Sequence, residues 1–139
     1  MSRMFEEHVV VCVDDEPAIL AALRRALRRE PYEILTTELP ERALHWVHTR
    51  DVSLVITDQR MPGMQGTELL EEVCRSSPST ARIILTAYPG STAAVPGLRH
   101  RAECMISKPW DGGMLRRVIR QLLLDRELDD RQQDAGNGS

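Results

Sequence analysis

The chain alternates between short, nearly continuous apolar runs and longer stretches in which apolar residues recur every third or fourth position. "HVVVCV" (8–13), "VSLVIT" (52–57) and "ARIILT" (81–86) are of the first kind. Such β-branched runs predict strands buried on both faces. "YEILTT" (32–37) and "ECMIS" (103–107) are weaker versions of the same signal. Between them, Ile19, Leu23, Ala26 and Leu27 share one side of a predicted helix that begins at Pro17. "PERALHWVHT" (40–49) predicts a second helix, and Leu69, Leu70 and Val73 predict a third over 66–75. Leu115, Val118, Ile119 and Leu122 predict the last, starting near Asp111. Pro17 and Pro40 suit a first helical position, where the missing N–H costs nothing.

Five strands alternating with helices predict an α/β domain with helices on both faces of a parallel sheet. Right-handed crossovers favour a flavodoxin-like doubly wound sheet with strand order 2-1-3-4-5. Two segments break the alternation. "STAAVPGLRHR" (91–101) stands where the fourth helix belongs but holds Pro96-Gly97. An interior Pro costs about 3 kcal/mol and a Gly about 1 relative to Ala, so this helix is expected to be short, kinked or loose. The tail "DDRQQDAGNGS" (129–139) is polar and reads as a frayed helix passing into linker. The expected division is one domain over 7–125, then a helix extension and polar tail over 126–139.

Composition narrows the functional classes. Of the 139 residues, 42% are hydrophobic but only 4% aromatic, so the core must be built from Leu, Val, Ile and Ala. A net charge of −3 argues against direct contact with nucleic acid. No apolar run approaches the ~18 residues of a membrane span. "MSRMFEEHVV" has no long apolar stretch of the signal-peptide kind, so a cytoplasmic location is expected. Cys12, Cys74 and Cys104 are odd in number and sit in apolar runs, as free buried thiols in a reducing compartment would. Arg24, Arg25, Arg28 and Arg29 read as a solvated helix face. His8, His45, His48 and His100 show no ligand spacing and read as surface or packing residues.

The candidate chemistry lies at the strand ends. In an open parallel sheet, ligands bind beyond the carboxyl ends of the strands. There the first strand delivers Asp14 and Asp15, the third Asp58, the fourth Thr86, and the fifth Ser107 and Lys108, while the second ends in Thr36 and Thr37 and adds nothing comparable. Asp58 follows a buried run and precedes the turn formers Pro62, Gly63 and Gly66. Singly, these residues could start a helix, open a turn or stand solvated. Together they converge on one cleft. Crowded carboxylates raise one another's pKa unless one is protonated or a hard cation joins them. Oxygen ligands without Cys or His select Mg²⁺, with Mn²⁺ as a substitute. Lys108 and the Thr86 hydroxyl add a cation and a donor, a combination suited to holding a phosphoryl group on a carboxylate.

"VDDEP", "TDQRMPGMQG", "ILTAY" and "ISKPW", in this order and spacing, resemble the receiver domain of two-component response regulators over about residues 7–125. The resemblance implies that Asp58 is the phosphoacceptor, taking its phosphoryl group from the phosphohistidine of a bacterial sensor histidine kinase or phosphotransfer protein. It implies that Asp15, Asp58 and the backbone carbonyl of Arg60 bind Mg²⁺ directly and Asp14 through water. Lys108 would pair with the phosphate, Thr86 would move to hydrogen-bond it, and Lys108–Pro109 would be cis. Such a domain is a signalling switch rather than an enzyme, with a covalently linked output domain and a homodimer among its expected partners. "SKPW" followed by Asp111 is similar to receivers that precede HD-type phosphohydrolase domains, and to those of some transcription activators and hybrid kinases.

Three features depart from or qualify the family pattern. Met105 stands where receivers usually carry Tyr or Phe, which puts the Thr–aromatic coupling in doubt. Pro96-Gly97 falls in a helix of the usual output face. Bulky Arg60 and Tyr88 border the phosphoryl position and suggest slow loss of phosphate. The main alternative function is an aspartyl-phosphate phosphohydrolase of the haloacid dehalogenase type. That chemistry wants Asp-x-Asp, but Gln59-Arg60 follows Asp58. A flavin carrier would need a Ser/Thr/Gly phosphate loop in place of "DDEP", and no GxxxxGK occurs for a P-loop nucleotidase.

Overall fold

The apolar runs become one five-stranded parallel sheet. A computed structural model describes residues 5–87 and 104–137, with side chains of the last helix described to 129. The strands are β1 (Val9–Val13), β2 (Glu33–Thr37), β3 (Leu54–Asp58), β4 (Ala81–Thr86) and β5 (Cys104–Ser107). They pair in the order β2-β1-β3-β4-β5, as predicted. The described helices are α1 (Pro17–Leu27), α2 (Pro40–Thr49), α3 (Gly66–Ser76) and α4 (Gly112–Asn137). The helix expected over 91–101, with Pro96-Gly97, lies outside the described residues, as do Tyr88 and His100.

Period-two alternation divides the core between the two faces of the sheet. Val10 and Cys12 of β1, with Leu54, Ile56, Ile83 and Leu85, pack under α1 and α4 through Leu23, Leu27, Leu115 and Ile119. Val9, Val11 and Val13, with Val55 and Ile84, pack against α2 and α3 through Ala43, Val47, Leu69, Leu70 and Val73. Strands β1, β3 and β4 are buried along their whole length because both faces are covered. β2 and β5 lie at the edges and alternate more weakly, which is why their sequence signal was weaker. Leu23, Ile56, Ile83 and Leu115 are fully buried, and each contributes roughly 1.5–3 kcal/mol of burial.

β3 extends one residue beyond the predicted run. Asp58 pairs with Leu85 and is the last residue of the strand rather than the first of the loop. The arginines of α1 are exposed, with Arg24 donating to Thr36 Oγ1 (3.0 Å), so the solvated-face reading holds. Among the cysteines only Cys12 is fully buried, and burial pushes its thiol up to about 12. Cys74 and Cys104 are free and partly exposed. Among the described residues no helix is long and apolar enough to cross a membrane.

At the amino edge of the sheet, α4 is fastened by a polar network with no local sequence signature. His8 lies between Ser53 Oγ (2.6 Å from Nδ1) and Glu127 Oε1 (2.7 Å from Nε2). Arg126, itself buried, donates to the Val52 carbonyl (2.7 Å) and to Asp51 Oδ1 (2.5 Å). Thr80 donates its hydroxyl proton to the same Val52 carbonyl (2.8 Å).

Candidate functional site

Strand register brings the predicted residues together. Val13 of β1 lies opposite Thr57 of β3, so the next residues out, Asp14 and Asp58, emerge side by side. Asp58 is opposite Leu85, and Thr86 follows it at the end of β4. Thr86 is opposite Ser107, and its carbonyl accepts the Lys108 N–H (2.8 Å). The Lys108–Pro109 bond is cis. From this anchored position the Lys108 ammonium donates to Asp58 Oδ1 (2.9 Å) and to Asp14 Oδ2 (3.0 Å).

These groups are held out of water. Asp14 is 0% exposed, Asp58 7% and Thr86 4%. Burial pushes the Asp14 carboxyl above its ordinary value. The Glu16 N–H (2.9 Å) and Lys108 pull it back without cancelling the rise, and the Asp58 charge adds to it. Burial also works against the Lys108 ammonium, but its hydrogen bonds to Asp58 and Asp14 and their charges together hold its pKa above the usual lysine range.

Carboxylate oxygens of Asp14, Asp15 and Glu16 lie within 4.8 Å of one another. Glu16 was not among the sequence candidates, although it was visible in "DDEP" as a third consecutive acid. Among the described residues the local balance is four carboxylates against one ammonium, and every candidate side-chain ligand is oxygen. That donor set fits a hard divalent cation. Arg60, two residues past Asp58, has an exposed side chain, and its backbone belongs to the loop between β3 and α3. Met105 lies opposite Ile84 and packs on the α2/α3 side of the core, as an ordinary core residue does.

The loop leaving Asp58 returns tightly. A Cβ on Gly66 would stand 2.3 Å from the Asp58 carbonyl oxygen, so the first residue of α3 has to be glycine for the helix to close on the strand end. Gly63 within the loop takes φ +85, the left-handed region that favours glycine. On the other flank, Ile19, Ala22, Lys108, Pro109 and Trp110 line a cavity of about 460 Å³.

Comparison with known proteins gives the family and the fold. The family profile described as the response regulator receiver domain matches residues 10–120. The hydrogenase transcriptional regulatory protein HoxA of Cupriavidus necator is 34% identical over 117 residues, covering 84% of this chain and 24% of that protein. The transcriptional regulatory protein GlrR of Escherichia coli K12 is 33% identical over 110 residues, covering 79% and 25%. The chain therefore spans about a quarter of the length of these curated relatives. Among solved structures, the signal receiver domain of an HD domain-containing protein from Pseudomonas fluorescens Pf-5 superposes with a TM-score of 0.84 at 29% identity, covering 91% of this chain and 93% of that one. A CheY-like receiver domain protein from Methanospirillum hungatei gives 0.80 at 29% identity, covering 88% and 98%.

Proposed function

The chain belongs to the response regulator receiver domains, and from that membership we propose that Asp58 is its phosphoacceptor, with Lys108 and Thr86 holding the transferred group. The observation that carries this reading is the Lys108 ammonium bridging Asp58 and Asp14 at 2.9 and 3.0 Å. It fixes the Asp58 carboxylate and supplies a positive charge where phosphoryl oxygens would arrive.

In the reaction, a carboxylate oxygen of Asp58 attacks the phosphorus of a phosphohistidine. The P–O bond forms as the P–N bond breaks, and the imidazole leaves and takes up a proton. Asp14, Asp15, Asp58 and the Arg60 backbone carbonyl would hold Mg²⁺, with Mn²⁺ as a substitute, and Glu16 lies close enough to extend the acidic set. A cation held there would neutralise the carboxylates and supply charge for the phosphoryl oxygens, while Lys108 positions the Asp58 carboxylate. The cavity beside Lys108, with Ile19, Ala22, Pro109 and Trp110 on its wall, offers an apolar approach for the donor. The donor in this reading is a histidine kinase or phosphotransfer protein.

The haloacid dehalogenase alternative is not favoured, because Gln59 and Arg60 provide no second acid beyond Asp58. The switch domain would occupy 7–125, with 126–139 as a helical extension toward an output domain, in a cytoplasmic protein. Labelling with phosphoramidate or acetyl phosphate tests the acceptor. A hydroxylamine-labile adduct at Asp58 that needs Mg²⁺ is expected. An adduct elsewhere, or none, would refute the assignment.

A further inference from the structure

The residue after the acceptor, Gln59, is 7% exposed, although its side chain is polar and stands at the root of a loop. We propose that Gln59 is a positioning residue: its amide clamps the start of α3 to the end of β3 and thereby fixes the loop backbone that carries the Arg60 carbonyl. The inference rests on the reading of Arg60 as a backbone ligand of the divalent cation.

The need for a clamp follows from the helix itself. The first N–H groups of a helix have no intrahelical partner. The residue preceding α3, Gln65, makes no side-chain capping bond. Gln59 supplies what is missing from across the loop. Its Oε1 accepts the Thr67 N–H (3.0 Å), and its backbone carbonyl accepts the Gly66 N–H (2.9 Å). Its Nε2 donates to Gln65 Oε1 (3.3 Å) and Thr67 Oγ1 (3.5 Å). On the sheet side, the Gln59 N–H donates to the Leu85 carbonyl (3.2 Å).

One residue therefore joins β4, the end of β3 and the first turn of α3. Residues 60–65 become a closed loop whose two ends cannot separate. Within that loop Met61 is buried on the α2/α3 side of the core and Met64 packs partly against it, while Arg60, Pro62 and Gln65 are exposed, so burial anchors the loop at Met61 and the amide secures its ends. Arg60 lies between the clamp residue Gln59 and the buried Met61, so its carbonyl is held from both sides.

A plain capping role would stabilise α3 without concerning the cation, and two variants separate the roles. Gln59→Met keeps the side-chain length and removes every amide bond. Adding Gln65→Asp gives α3 a cap of its own, since Asp at that position accepts N–H groups of the first turn. Mg²⁺ affinity by calorimetry and melting temperature without metal are the two readouts. Gln59→Met is expected to weaken Mg²⁺ binding about 10-fold, the scale of groups that orient metal ligands. The double variant is expected to recover melting temperature but not Mg²⁺ affinity, and it keeps the test available if the single variant folds poorly. Unchanged Mg²⁺ affinity in Gln59→Met would overturn the proposal, as would affinity and melting temperature recovering together. Failure of the unsubstituted protein to bind Mg²⁺ would instead overturn the functional reading on which the proposal rests.

Discussion

The two edges of the sheet both bury charged groups, yet they are built on opposite terms. At the amino edge, His8 meets Glu127 and Ser53, while Arg126 meets Asp51 and the Val52 carbonyl. Each group there finds its complement within the chain. At the carboxyl edge, the Lys108 ammonium pairs with both Asp14 and Asp58, and Asp15 and Glu16 adjoin them. Burial leaves the Asp14 carboxyl with a raised pKa even though Lys108 and the Glu16 N–H both donate to it. A balanced edge holds the molecule together. An unbalanced one costs stability and is kept where something from outside completes it.

The largest expected effect separates the edges by function. Asp58→Asn should abolish phosphodonor labelling, whereas Arg126→Met should leave it intact, as peptide mapping would record. Stability should divide the other way. Arg126→Met removes the charge-assisted hydrogen bonds to the Val52 carbonyl and Asp51 from a buried side chain and should lower unfolding free energy by about 1–3 kcal/mol in a urea titration. The cost stays in that range because Thr80 still donates to the Val52 carbonyl and Asp51 is solvated. Asp14→Asn should instead stabilise the protein at neutral pH. The folded-state pKa of Asp14 is raised, so its contribution is fullest below the ordinary carboxylate range and is lost as pH rises through the folded value. Asn cannot ionise, so the gap between variant and wild type should close as pH falls. The smallest effect belongs to neither edge. Arg75→Ala removes exposed pairings with Glu71 and Glu72 along α3 and should change stability by under about 0.5 kcal/mol.

The same contrast explains what could be read from the sequence. β1, β3 and β4 were legible because full burial leaves unbroken apolar runs, and right-handed crossovers favoured a doubly wound sheet for which 2-1-3-4-5 is a natural order. Asp14, Asp15, Asp58, Thr86 and Lys108 were legible because each sits at a strand exit, where a polar residue interrupts an apolar pattern. The amino-edge network was not. His8 and Glu127 are 119 residues apart, and nothing local to either marks its partner. Gln59 escaped notice for a related reason. In sequence it is one more polar loop residue, and only the return of α3 onto the strand end makes its amide a clamp. Glu16 stood in "VDDEP" as a third acid, but it does not lie at a strand exit, so the strand-end pattern did not single it out.

Thermal unfolding across a Mg²⁺ titration tests the contrast between the edges most directly, because a ligand that binds only the folded state raises the melting temperature with its concentration. Wild type and Arg126→Met should rise in parallel from different baselines, while Asp14→Asn and Asp58→Asn should rise far less. A wild-type melting temperature indifferent to Mg²⁺, or an equal rise in the two carboxylate variants, would contradict the claim that the carboxyl edge is completed by a divalent cation.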